Sequence, residues 1–104
     1  MSIHDLKQYH LMLSRLEAFR RSDINIDALI ADLRGLLNAL HEADPDWKQT
    51  FLHWWGQIED ARAYARYREA KVLSPEETQN VFEAVQQLET LIRGKATKPS
   101  PPVA

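Results

Sequence analysis

Hydrophobic residues recur at intervals of three and four along most of the chain, a spacing that predicts amphipathic helices. The second predicted helix, 26–42, has the cleanest pattern, because its aliphatic side chains fall within about 120° of arc. They are Ile26, Leu29, Ile30, Leu33, Leu36, Leu37 and Leu40. The first predicted helix, 3–21, carries a broader stripe. Its members are Leu6, Tyr9, Met12, Leu13, Leu16 and Phe19.

Capping signals predict where the second and third helices begin. Asn25 is of the residue type that caps a helix N-terminus, and Ile24 and Leu29 are placed to form a hydrophobic staple across it. The third helix is predicted over 45–70, with Asp44 as its cap. Proline follows Asp44, at the first helical position, where a missing N–H costs nothing.

The fourth helix opens with a capping box in which Ser74 caps and Glu77 reaches back. Its inward stripe is predicted to be Val81, Val85, Leu88 and Ile92, flanked by Phe82 and Leu91. Gly94 is the predicted stop. The last ten residues, 95–104, contain three prolines and little to bury, which predicts a disordered tail.

Short connections between helices favour antiparallel neighbours. The sequence therefore predicts an all-α protein, with one up-down-up-down four-helix bundle over residues 1–94 and a disordered tail over 95–104.

All three tryptophans lie in the third predicted helix. Trp47 and Trp54 fall on its inward stripe and are predicted to be core residues. The other members of that stripe are Phe51, Ile58, Ala61 and Ala65. Trp55 is rotated by about 100° from Trp54. Two interpretations stay open for Trp55, lateral packing against the first or fourth helix and an anchor for a protein partner, since Trp is enriched at interfaces.

Two tyrosines, Tyr64 and Tyr67, fall off the inward stripe among arginines, a pattern typical of a protein-binding surface. Together with Trp55 and Glu59 they form a candidate partner-binding surface, the aromatic flank. The alternative is a solvated helix face with intrahelical ion pairs such as Glu59–Arg62.

A second candidate surface is acidic. The residues of this acidic set are Asp32, Glu42, Asp44 and Asp46. Capping and the helix dipole explain part of the enrichment, because carboxylates are favoured at helix N-termini. The remaining hypothesis is a surface that binds a basic partner.

Composition narrows the function further. The chain of 104 residues has 15 acidic and 13 basic residues, and this mild net charge of −2 argues against nucleic acid as a partner. The absence of cysteine excludes disulfides, thiolate nucleophiles and cysteine–zinc sites. No apolar run approaches the roughly 20 residues that span a bilayer, and no secretory signal pattern is present. We therefore expect a cytoplasmic protein with no membrane partner.

No local motif for catalysis or metal binding occurs. The four histidines lack the i, i+4 spacing of a helical metal site, and neither an HExxH nor a Glu-x-x-His pattern is present. Calcium loops, phosphate loops and the GxSxG motif are missing as well. The sequence predicts no catalytic residue, no metal and no cofactor, and an enzyme whose site is assembled only by folding stays as an alternative.

The segment from Leu33 to Ile92 resembles small all-helical bacterial proteins that act as immunity partners in toxin–immunity systems, including contact-dependent growth inhibition. The resemblance is carried by Trp47, Phe51, Trp54 or Trp55, Ile58, Glu59, Tyr64 and Ala65. It implies a cytoplasmic protein that binds a cognate toxin domain, often a nuclease, and blocks its active site. It carries over no individual site residue.

The alternative class is a structural or regulatory helical protein that dimerises or docks into a larger assembly through the aromatic flank. The oligomeric state stays open at this level.

Overall fold

The computed structural model describes residues 3–96, and these form four helices. They are α1 (Ile3–Arg20), α2 (Ile26–Asn38), α3 (Pro45–Tyr67) and α4 (Pro75–Ala96). Each helix packs against two others, in the closed order α1, α2, α3, α4 and back to α1. The predicted all-α four-helix bundle is confirmed. Within the described range, no helix combines the length and apolar content needed to cross a lipid bilayer.

All three predicted helix caps are confirmed. The Asn25 side chain accepts the backbone N–H three residues on, at 2.8 Å, and Asp44 accepts the N–H two residues on, at 3.1 Å. The capping box is reciprocal: Ser74 Oγ accepts from the Glu77 N–H at 3.1 Å, and Glu77 Oε1 accepts from the Ser74 N–H at 2.8 Å. Ile24 and Leu29 both pack in or against the core, and their direct staple contact stays a prediction.

The helix ends differ from the prediction more than the starts do. Helix α2 ends at Asn38 instead of residue 42, and α3 ends at Tyr67 instead of residue 70. The end of α3 has a specific cause, because Glu69 adopts a left-handed φ of 57°. The N–H of the following residue then reaches back five positions to the Ala65 carbonyl at 2.9 Å, which closes the helix.

Gly94 does not stop the fourth helix. Helix α4 continues through it to Ala96, so Lys95, which was assigned to the disordered tail, is helical. The rest of the predicted tail, 97–104, lies outside the described residues. Glycine permits a left-handed stop but does not require one, and here the helix continues with ordinary φ.

The core is a single cluster to which all four helices contribute. The predicted stripe of α4 is confirmed, since Val81, Val85, Leu88 and Ile92 are all fully buried. In α1 the buried face is rotated from the prediction: Leu6 and Leu13 are only half-buried. The buried residues of α1 are Asp5, Tyr9, Met12 and Leu16.

Two charged residues are buried with this core, Asp5 and Glu89. Glu89 accepts hydrogen bonds from the Arg20 guanidinium, at 2.8 Å from Nε, and so links α4 to the end of α1. Arg93, one turn along α4, lies 3.6 Å from the other oxygen of Glu89. The two arginines therefore explain how the charge of Glu89 can be buried. Asp5 contacts a loop instead of a guanidinium.

Candidate functional site

The connection between α2 and α3, residues 39–44, is held by a carboxylate from the first turn of α1. Asp5 is 1% exposed, and its two oxygens accept hydrogen bonds from the backbone N–H groups of His41 and Glu42, each at 2.8 Å. We call this connection the Asp5-bound loop. Because both oxygens bind backbone, the contact fixes the path of the loop irrespective of its side chains.

The ionised form of Asp5 is the one that fits this environment. Burial by itself raises the pKa of a carboxyl group. Here the N–H bonds from His41 and Glu42, with a smaller electrostatic contribution from the neighbouring rings of His41 and His4, outweigh burial and hold the pKa of Asp5 below its ordinary value. The buried group therefore remains a carboxylate at neutral pH.

Two histidines lie beside Asp5. The ring of His4 stacks on the ring of His41, with centroids 4.0 Å apart and planes inclined by 12°. His4 Nε2 also lies 2.7 Å from the carbonyl oxygen of Ala39, at the start of the same loop. Helix α1 thus contacts the loop through a backbone acceptor, a buried carboxylate and a ring stack.

His4, Asp5 and His41 form a cluster of potential metal ligands. One ligand atom from each lies within 4.8 Å of the other two, and it is the one such group found among residues 3–96. No histidine spacing in the sequence indicates this cluster, because His4 lies on α1 and His41 lies in the Asp5-bound loop. The one available signal was Asp5, which lies four residues before Tyr9 on the true inward face of α1.

The structure places most of the acidic set together. Glu42, Asp44 and Asp46 are all exposed, on the Asp5-bound loop and in the first turn of α3. Asp32 lies apart from them on α2, where its carboxylate is 3.9 Å from the Arg15 guanidinium of α1. Three of the four predicted acids therefore share one surface, and the fourth belongs to a different groove. That groove is lined by Leu11, Arg15, Ala31, Asp32, Gly35 and Leu36.

The arginines of α3 point across to α2 instead of along their own helix. Arg62 donates to both oxygens of Asp27, at 2.8 and 3.2 Å, and Arg66 lies 3.9 Å from the same carboxylate. The alternative interpretation paired Arg62 with Glu59 on its own helix, whereas the structure pairs it with Asp27 of α2. Hydrogen bonding from Arg62, with the charge of Arg66 nearby, lowers the pKa of Asp27.

The three tryptophans have different environments. Trp47 is 9% exposed, which confirms it as a core residue, whereas Trp54 is only half-buried at the edge of the core. Trp55 is also half-buried, and its specific polar contacts are with α2, whereas packing against α1 or α4 was predicted. Its Nε1–H donates to the Ile30 carbonyl at 3.0 Å, and the Arg34 guanidinium lies over its ring at 5.3 Å. Lateral packing is therefore the interpretation of Trp55 that the contacts support.

The aromatic flank is not one continuous surface. Trp55 and Tyr64 are nine residues apart, which at about 100° per residue places them on opposite sides of α3. Tyr64 is 66% exposed on the side facing α4, Tyr67 is 88% exposed, and Glu59 is exposed. Sequence proximity suggested a single patch, and the helical rotation divides it.

Comparison with protein-family models, curated proteins and solved structures found no match for this chain. The function must therefore be argued from the surfaces themselves.

Proposed function

We propose that this protein is a non-enzymatic binding module that captures a basic protein partner on the acidic surface formed by Glu42, Asp44 and Asp46. The observation that supports it is the attachment of this surface to the core. Asp5 holds the backbone of the loop at two points, at 2.8 Å each. A surface fixed before binding loses less conformational entropy when the complex forms.

The arrangement suits electrostatic recognition. Glu42, Asp44 and Asp46 are exposed in the free protein, so their field reaches into solvent and can steer a partner of opposite charge. The carboxylates that become desolvated in the complex would slow its dissociation. Because Asp32 is engaged with Arg15 on another groove, we assign it a minor part.

The partner class follows from the resemblance described above. In an immunity protein of a bacterial toxin–immunity system, clustered carboxylates would occupy the basic surface that a nuclease toxin uses for phosphate groups. The protein would then neutralise the toxin by blocking its active site, without chemistry of its own. The partner is a cognate toxin domain in this proposal.

The test uses the polypeptide encoded by the gene next to this one as the candidate toxin. Co-expression should restore growth, and the purified pair should associate more weakly as salt rises, because exposed charges are screened. A variant with Glu42→Gln, Asp44→Asn and Asp46→Asn should bind at least about tenfold more weakly at low salt, mainly through a lower association rate.

A matched control removes the same charge elsewhere. Asp23→Asn, Glu76→Gln and Glu83→Gln change three acids that are also exposed but lie away from the Asp5-bound loop. This control should bind like the wild type. If both variants bound the partner equally weakly, the effect would come from net charge alone. If the loop variant bound like the wild type, the acidic surface would be excluded as the binding site.

One observation favours a second candidate, a helical module that dimerises or docks through Tyr64 and Tyr67. These two rings are 66% and 88% exposed, and large exposed aromatic side chains are frequent anchors of interfaces. Sedimentation of the purified chain at increasing concentration tests self-association. Under this candidate Tyr64→Ala with Tyr67→Ala abolishes association, and the loop variant associates normally.

A further inference from the structure

We infer that His4, Asp5 and His41 form a binding site for a divalent transition metal of the zinc type. The site would join the N-terminal turn of α1 to the Asp5-bound loop. None of its three residues belongs to the acidic surface, so zinc binding and partner binding can be tested separately.

The chemistry of the ligands selects the metal class. Two imidazole nitrogens and one carboxylate oxygen suit zinc, and they suit the hard cations magnesium and calcium poorly because those prefer oxygen ligands. Three protein ligands leave the fourth position of a tetrahedral zinc free for water. The nearest ligand atoms of the three residues lie within 4.8 Å of each other.

The geometry requires only a small closure. Two ligands of one tetrahedral zinc, at about 2.1 Å from the ion, are about 3.4 Å apart. From the observed limit of 4.8 Å the cluster would contract by a distance on the order of 1 Å. Both imidazoles are exposed and would supply the closure, whereas Asp5 is held by its two backbone bonds.

The surroundings of the ligands resemble those of protein metal sites. The carbonyl of Ala39 can only accept, so Nε2 of His4 donates to it and Nδ1 is the unprotonated nitrogen available to a metal. A backbone carbonyl that fixes the tautomer of a ligating histidine is a regular feature of such sites. Asp5 presents a carboxylate to the same cluster, and its oxygens are oriented by the backbone N–H groups of His41 and Glu42.

The ring stack gives a second reason why the cluster is suited to an ion. The rings of His4 and His41 lie nearly parallel, with centroids 4.0 Å apart. Two potential metal ligands from separate elements therefore already lie together next to a carboxylate. The carboxylate of Asp5 is an oxygen ligand already oriented by two backbone N–H groups at 2.8 Å. A metal would pull the edges of both rings toward Asp5.

The experiment is a zinc titration of the full chain without an affinity tag, followed by calorimetry at neutral pH. We expect one equivalent to bind and the melting temperature to rise, since a ligand specific to the folded state stabilises it. His4→Ala and His41→Ala should each weaken zinc binding by at least about tenfold, because even the loss of a residue that only supports a metal ligand weakens binding by about that factor. Circular dichroism checks that both variants remain folded.

Matched controls come from the other two histidines. His10 and His53 are exposed and lie outside the cluster, so His10→Ala and His53→Ala should bind zinc like the wild type. In NMR spectra of the imidazole nitrogens, zinc should shift the signals of His4 and His41 only. Millimolar magnesium should not displace the zinc.

Three results would overturn the inference. The first is no zinc binding at 100-fold excess over the protein. The second is binding that survives both cluster variants, with loss instead upon neutralisation of Glu42, Asp44 and Asp46. The third is displacement by magnesium, which would identify an ordinary acidic surface.

Discussion

The two ends of the bundle connect antiparallel helices by opposite means. At one end the Asp5-bound loop is held by a residue 36 and 37 positions away in the sequence. At the other end the connection between α3 and α4, residues 68–74, is held by its own neighbourhood: Ser74 and Glu77 bond each other, and Arg68 bonds Glu77. We call the second connection the Ser74 loop. The first forms only when α1 has docked, and the second requires no distant partner.

The two connections should therefore differ in how much of the protein is destabilised when their contacts are lost. A contact between distant segments belongs to the global fold, so its loss should weaken the whole bundle. A contact within one turn belongs to local structure, so its loss should mainly fray a helix end.

The largest loss should come from Trp47, which lies beside the Asp5-bound loop. Its ring packs against Tyr9 and Phe51, with centroids 5.4 and 5.6 Å away. Trp47→Ala should reduce the free energy of unfolding by about 3–5 kcal/mol, because a large buried aromatic leaves a cavity. Urea unfolding measures this. Trp54→Ala is the matched control and should cost clearly less, since Trp54 is half-buried; equal losses would contradict the difference in burial.

Removing the carboxylate of Asp5 should cause the second-largest loss in the free energy of unfolding. Asp5→Ala leaves two backbone N–H groups without their acceptor, at about 1–3 kcal/mol for each group that water cannot reach. We expect a total of about 2–4 kcal/mol in urea unfolding. The counterpart at the other end, Ser74→Ala, should cost only about 1 kcal/mol, the usual value of a lost N-cap. A larger loss at Ser74 than at Asp5 would reverse the comparison.

Acid should weaken the Asp5-bound loop. Because the pKa of Asp5 is lowered in the folded chain, the unfolded chain takes up the proton first as the pH falls. The stabilising contribution is thus fully present above about pH 5 and is lost as the pH drops below the ordinary value of 3.8 and through the folded pKa.

The measurement is the free energy of unfolding of the wild type minus that of Asp5→Asn, whose amide resembles the protonated acid. This difference should shrink as the pH falls from about 5 to about 3. The subtraction is needed because the pKa values of Asp27 and Glu77 are lowered too, so they also contribute to acid sensitivity. A difference that does not change with pH would show that the charge of Asp5 is unimportant.

The smallest effect concerns the Ser74 loop and has the opposite sign. Glu69 holds a φ of 57°, a conformation that costs roughly 1 kcal/mol for a residue with a Cβ. Glu69→Gly should therefore raise the free energy of unfolding by about 0.5 kcal/mol, after the greater flexibility of glycine in the unfolded chain is subtracted. Glu69→Ala is the control, because it removes the charge but keeps the Cβ. A gain from alanine equal to that from glycine would assign the effect to the carboxylate.

Local rules predicted the helix starts of this molecule, whereas the local stop signal at Gly94 was wrong. Asn25, Asp44 and Ser74 cap helices where the sequence placed them, because a cap is decided by a side chain and the next few N–H groups. The stripe of α4 was predicted for the same reason, since its periodicity lies in one continuous segment.

Features set by contacts between segments were not predicted. No pattern in the sequence singled out Asp5, and only the position of the Asp5-bound loop shows why it is buried. Trp55 contacts α2 because its N–H donates to the backbone carbonyl of Ile30, and no side-chain pattern reveals a backbone acceptor. The end of α3 depends on a left-handed φ at Glu69, a residue type that gives no stop signal.

The bonds from Asp5 have a consequence for amide hydrogen exchange. The N–H groups of His41 and Glu42 belong to exposed residues in a connection without helical structure, where rapid exchange with solvent is the ordinary expectation. Their acceptor, however, is a carboxylate that is 1% exposed and anchored in α1. Deuterium can replace these two protons only when α1 separates from the loop, so two surface amides should exchange as slowly as the buried helices and report on the attachment of α1.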